Sequence, residues 1–127
     1  SRGLVGSEMC IRDRSSPKGF DRSSYQLPVE DKVKAIKSSI SNAAQGANYL
    51  MVKPGMTSID LIRDIKKETL LPTGAYQVSG EYASLQMLSK AKFGNYVDLL
   101  LESLTVLKRA QADFIITYGA RDIAKYL

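Results

Sequence analysis

The stretch Tyr49-Leu50-Met51-Val52-Lys53-Pro54-Gly55 decides how the rest of the chain is read. Four apolar residues run without a break and stop at a lysine, a proline and a glycine. A short continuous run of this kind suits a strand buried on both faces, as in a parallel sheet. Two further runs have the same form. Residues 74–78 come after Pro72 and stop at Ser79-Gly80; Phe114-Ile115-Ile116-Thr117 stops at Tyr118-Gly119.

Helical periodicity fills the gaps between them. Val33, Ile36, Ile40 and Ala44 predict an amphipathic helix over 30–45, with Gly46 as its stop. Ser58 is placed to cap a helix through about Glu68 that carries Ile59, Ile62 and Ile65 on one face. Tyr82, Leu85 and Leu88 mark a third helix; Val97, Leu100, Leu101, Leu104 and Leu107 mark a fourth; a last one starts near Arg121. Strands alternating with helices predict an α/β fold with a parallel sheet. Three strands are too few for a closed (β/α)8 barrel of ~250 residues. The pattern fits a small open sheet or a piece of a barrel.

Composition narrows the chemistry. The 127 residues suffice for one ordinary domain. They include one cysteine, Cys10, and no histidine. That excludes an internal disulfide, Ser-His and Cys-His nucleophile systems, and a Cys/His zinc site within the chain. No apolar run approaches the ~20 residues of a membrane helix. The opening SRGLVGSEMC lacks the apolar middle of a secretory signal, so a cytoplasmic protein is expected. The net charge of +5 is scattered over Lys32, Lys34, Lys37, Lys66, Lys67, Lys90, Lys92, Lys108 and Arg109. A nucleic-acid-binding module would gather such charge and interleave aromatic platforms. Scattered lysines fit a solvated surface better.

In parallel α/β sheets, functional side chains gather at the C-terminal ends of strands. The three strand ends here carry Lys53, Ser79 and Tyr118: an amine and two hydroxyls. Burial disfavours the charged form of a lysine, and a free amine can form a Schiff base with a carbonyl compound. A lysine marking the strand's exit to solvent fits the same residues. Ser79 also fits a turn, and Tyr118 an amphipathic core edge. Arg22, in DRSSYQLP before the first helix, offers a planar fork for a carboxylate, or simply a solvated loop arginine. Glu81 favours a helix N-terminus. Asp60 and Asp64 are expected to face solvent on one helix without forming a carboxylate pair.

Taken together, SSPKGFDRSSYQLP (15–28), NYLMVKPGM (48–56), GAYQVSGEYA (74–83) and ADFIITY (112–118) resemble the C-terminal part of porphobilinogen synthases, the 5-aminolevulinate dehydratases. The resemblance covers residues 15–127. It implies a TIM barrel, of which this chain supplies the last three strands and helices. It implies a hydro-lyase that condenses two molecules of 5-aminolevulinate into porphobilinogen, on the way to haem and other tetrapyrroles. By the same resemblance Lys53 forms the Schiff base. Ser79 and Tyr118 bind that substrate's carboxylate, and Tyr76 lies near the pocket. Arg22 and Gln26, on a mobile segment, hold the second substrate's carboxylate. Full-length members use zinc or magnesium and are commonly octameric. Their second active-site lysine and zinc-binding cysteines fall on upstream segments, and Cys10 does not replace the latter. Where some members carry a glutamate for an allosteric magnesium, this sequence has Ser38.

Residues 1–14 depart from the family pattern, and VGSEMCIRDR resembles a translated sequencing adapter. They are expected to be a disordered or artefactual stretch outside the 15–127 unit. The fragment alone is expected to be inactive and to expose apolar faces. A class I aldolase-like Schiff-base lyase would share the strand-end lysine. A sugar-phosphate substrate would call for a glycine-rich loop after the last strand, where YGARD has one glycine.

Overall fold

The computed structural model describes Leu27 and residues 29–127. Residues 1–14, Cys10, Arg22 and Gln26 lie outside the described residues.

Three parallel strands form one sheet in the order β1 (Leu50–Val52), β2 (Thr73–Gln77), β3 (Ile115–Thr117). Helix α1 (Lys32–Ala44) precedes β1. A 3-10 turn (Met56–Ser58) and α2 (Ile59–Thr69) join β1 to β2. Two helices, α3 (Ser79–Lys90) and α4 (Tyr96–Arg109), join β2 to β3, and α5 (Ala120–Ile123) closes the chain with a 3-10 turn (Ala124–Tyr126). The α/β alternation expected from the sequence is present.

Local chemistry explains the boundaries. Asp31 caps α1 by accepting from the Lys34 amide at 2.8 Å. Gly46, at φ 95°, takes the left-handed turn beyond its end. Asn95 caps α4, accepting from the amides of Val97 and Asp98. Ser58 precedes α2 as expected, but makes no side-chain cap. The 3-10 turn before it has already bent the backbone.

The register puts Leu50 beside Thr73 and Val52 beside Ala75, then Ala75 beside Ile115 and Gln77 beside Thr117. Strand side chains alternate between faces, so these residues share one face. On that face Leu50, Val52 and Ala75 pack with Ala35 of α1, Leu61, Ile62 and Ile65 of α2, and Leu107 of α4. Burying a side chain such as Ile62 completely is worth roughly 1.5–3 kcal/mol.

The opposite face holds Met51, Gly74, Tyr76 and Ile116, with Tyr49, Lys53, Phe114 and Tyr118 at its margins. Phe114 lies across Gly74, where an added Cβ would come within 2.2 Å of its ring. Tyr49 meets Phe114 edge-on, with ring centroids 6.3 Å apart. Ile116, Tyr118 and Tyr49 are exposed. The apolar runs predict strands buried on both faces. Among the described residues the core helices pack on the other face, and this open one is unevenly covered: Gly74 is buried and Met51 and Tyr76 are half-buried, while Ile116 of β3 is exposed.

Candidate active site

Lys53 comes directly after β1, at the C-terminal end of the strand. It lies on the open face, yet its side chain is buried, only 3% exposed. Its amino nitrogen stands 5.1 Å from the centroid of the Tyr76 ring. The Tyr76 hydroxyl donates to that of Tyr118 at 3.2 Å. Lys53, Tyr76 and Tyr118 are thus brought together from three neighbouring strand ends. Tyr118 is more than half exposed.

Ser79 stands two residues beyond β2, at the same end of the sheet, and is the first residue of α3. It is exposed. The sequence pattern puts a strand stop at Ser79-Gly80 and a helix from near Tyr82; the helix begins at the serine itself.

The loop after Lys53 is held from two sides. The Lys53–Pro54 peptide is cis. The Gly55 amide donates to the Tyr76 carbonyl at 2.7 Å. A Cβ on Gly55 would meet that oxygen at 3.0 Å, so glycine permits the close approach. From the other side, Glu81 accepts from the Met56 amide through Oε1 at 2.9 Å and from the Val78 amide through Oε2 at 3.3 Å. The Val78 bond is the half of a capping box that an N3 glutamate supplies; valine cannot supply the other half. Burial pushes the Glu81 carboxyl above its usual range, opposed by the amides of Met56, Thr57, Val78 and Gly55. Sequence pattern assigns Glu81 to its own helix and gives no sign of its bond to the lysine loop.

Below the rim lies a buried polar network that periodicity does not reveal. Gln77 is fully buried. Its Nε2 donates to Ser103 Oγ at 2.8 Å, and its Oε1 accepts from Thr117 Oγ1 at 2.7 Å. Ser103 donates onward to the Leu100 carbonyl. An amide within a core strand signals such a network, because buried polar groups need partners.

A row of tyrosines extends from the site. Tyr118 lies 5.8 Å from Tyr82, and Tyr82 lies 6.2 Å from Tyr96, ring centre to ring centre. The Tyr96 hydroxyl donates to Asp122 at 2.7 Å and shares a bond with that of Tyr82 at 3.0 Å. Burial, and then the bonds to Tyr82 and Asp122, raise Tyr96 above the ordinary phenol range.

Other candidates are placed elsewhere. Asp60 and Asp64 face solvent as expected, and both approach Lys32 of α1, at 3.7 and 2.6 Å. Ser38 sits on α1. Among the described residues no group of three or more Cys, Asp or Glu side chains is placed to hold a metal ion. No described helix is long and apolar enough to cross a membrane.

Comparison with known proteins supplies the frame for this geometry. The family model for delta-aminolevulinic acid dehydratase matches residues 11–126. The chain belongs to the delta-aminolevulinic acid dehydratase family. The Helicobacter pylori J99 dehydratase is 44% identical over 114 residues, covering 89% of this chain and 35% of the relative. The Escherichia coli K12 dehydratase is 45% identical over 105 residues, covering 83% and 32%. A crystal structure of the Toxoplasma gondii ME49 dehydratase, in complex with its reaction product porphobilinogen, superposes with a TM-score of 0.82 at 37% identity. It covers 86% of this chain and 31% of that one. The chain thus spans about a third of the length of these dehydratases.

Proposed function

We propose that the protein to which this chain contributes is a porphobilinogen synthase, and that Lys53 is its Schiff-base lysine. The observation that carries the reading is a buried lysine at the C-terminal end of a parallel strand, its amine over the ring of Tyr76, whose hydroxyl is bonded to that of Tyr118. The family membership supports it. The sheet is read as the last three strands of a (β/α)8 barrel, with the lysine-bearing face turned inward. Helices on the opposite face only are what an arc of such a barrel presents.

In this reading the Lys53 amine attacks the ketone carbon of one 5-aminolevulinate. Water leaves and an iminium forms. The iminium draws electrons from the adjacent carbon, whose proton is then released. Ser79 and Tyr118 hold this substrate's carboxylate with neutral donors. Arg22 and Gln26 hold the second substrate's. Two anchored substrates make the carbon–carbon and carbon–nitrogen closures effectively intramolecular, an advantage of up to about 7–11 kcal/mol. As the pyrrole closes, the bond from Lys53 to the former ketone carbon breaks, which frees the amine again, and a second water is lost. Zinc or magnesium, assembly into a homo-oligomer such as an octamer, and a cytoplasmic setting belong to the same reading.

The full-length protein tests it. Supplied with 5-aminolevulinate, it is expected to form porphobilinogen, detected as its coloured adduct with an aromatic aldehyde. Lys53→Ala is expected to abolish product while leaving the circular dichroism spectrum unchanged. Product from a folded Lys53→Ala variant would overturn the assignment.

A further inference from the structure

We propose that Glu81 is the positioning residue for Lys53, holding the lysine's loop to the strand end that carries Ser79. The inference rests on the Schiff-base reading and adds a residue to it. Lys53 cannot be positioned by its strand alone, because β1 ends at Val52. From Lys53 to Gly55 the backbone is a loop, and a loop keeps one geometry only where something binds it. On the β2 side the Gly55 amide is bonded to the Tyr76 carbonyl. On the α3 side the binding group is Glu81.

The geometry is specific. One carboxylate oxygen takes the Met56 amide, three residues after the lysine; the other takes the Val78 amide, one residue before Ser79. The two oxygens of one side chain therefore bridge the loop carrying the amine and the loop carrying a hydroxyl proposed to hold the substrate's carboxylate. A carboxylate is suited to this because it accepts at both oxygens, and such charge-assisted bonds to amides are strong. The group is half-buried, so water competes with the clamp only in part. Both its oxygens accept from backbone amides. It acts on the reaction through Lys53.

The test uses the full-length protein and two readouts, with Glu81→Ala and Glu81→Gln compared. The first is amide hydrogen exchange. Exchange at Met56, Thr57 and Val78 is expected to rise tenfold or more in Glu81→Ala, with the core amides of Leu100 and Leu107 unchanged. Glu81→Gln, which keeps one acceptor oxygen, is expected to be intermediate and serves if the alanine variant does not fold. The second is the rate of borohydride trapping of 5-aminolevulinate on Lys53. It is expected to fall tenfold or more at saturating substrate, with the half-saturating concentration little changed. Unchanged exchange in the lysine loop, or unchanged trapping in both variants, would overturn the inference. Wild-type protein that traps no substrate on Lys53 would instead overturn the Schiff-base reading on which it rests.

Discussion

The Lys53 amino nitrogen lies over the Tyr76 ring, 5.1 Å from its centre, and the Tyr76 hydroxyl is bonded to Tyr118 at 3.2 Å. One tyrosine therefore faces the amine with its ring and a proposed substrate-binding hydroxyl with its oxygen. Tyr76→Phe separates the two duties. It keeps the ring and removes a neutral hydrogen bond worth about 0.5–1.5 kcal/mol. Steady-state kinetics on the full-length protein are expected to show KM raised roughly two- to tenfold with kcat nearly unchanged, the signature of lost uniform binding.

The Gln77 network makes a second prediction. Ser103→Ala leaves the buried Gln77 Nε2 without its 2.8 Å partner. The loss is expected to cost about 1–3 kcal/mol, read from urea unfolding. Adding Gln77→Leu is expected to cost less than the two single changes summed, since the double variant no longer buries an orphaned amide. Strict additivity would contradict the network.

This network also marks how far local sequence pattern reaches. The strand order, the helix order and Lys53 as the leading candidate are all legible locally: an apolar run ended by Lys-Pro-Gly, and isoleucines at helical spacing. Family resemblance supplies roles for Ser79, Tyr118, Arg22 and Gln26. The partners of Gln77 lie 26 and 40 residues away, and the Met56 partner of Glu81 lies 25 away. Bonds over such separations depend on which loops the fold brings together, and no periodicity encodes them. The exposure of β3 on that face escapes local reading for a related reason. A run of apolar residues is the same whether its second face is covered by this chain or not.

Gly119 is pressed against the core, and this gives a third prediction. A Cβ there would come within 2.5 Å of Leu100, which is fully buried. Gly119→Ala is expected to destabilise by about 1–3 kcal/mol through overpacking. Pairing it with Leu100→Ala is expected to cost less than the sum of the two changes, as the cavity accepts the new methyl. Equal costs with and without Leu100 would show that the glycine serves something else.

Asp113 supplies a pH dependence. Its Oδ1 accepts from Lys66 at 2.8 Å and its Oδ2 from the Thr73 amide at 2.9 Å. The bond to Lys66, and then that to Thr73, holds its carboxyl below the ordinary value of 3.8. A lowered folded-state value means that the stabilisation is present above the unfolded-state value and lost as pH falls through the folded one. Asp113→Asn is therefore expected to lower the urea midpoint at pH 6–7, by an amount that shrinks as pH falls below 3.8 and through the lower folded-state value. A constant difference across that range would contradict the assignment.

The central claim is that Lys53 forms an imine with a keto acid. The direct measurement is reduction with borohydride in the presence of 5-aminolevulinate, followed by peptide mass spectrometry of the full-length protein. The account predicts one substrate-derived adduct on the peptide containing Lys53, absent without substrate and absent from Lys53→Ala. An adduct confined to another lysine, with Lys53 unmodified at saturating substrate, would contradict it.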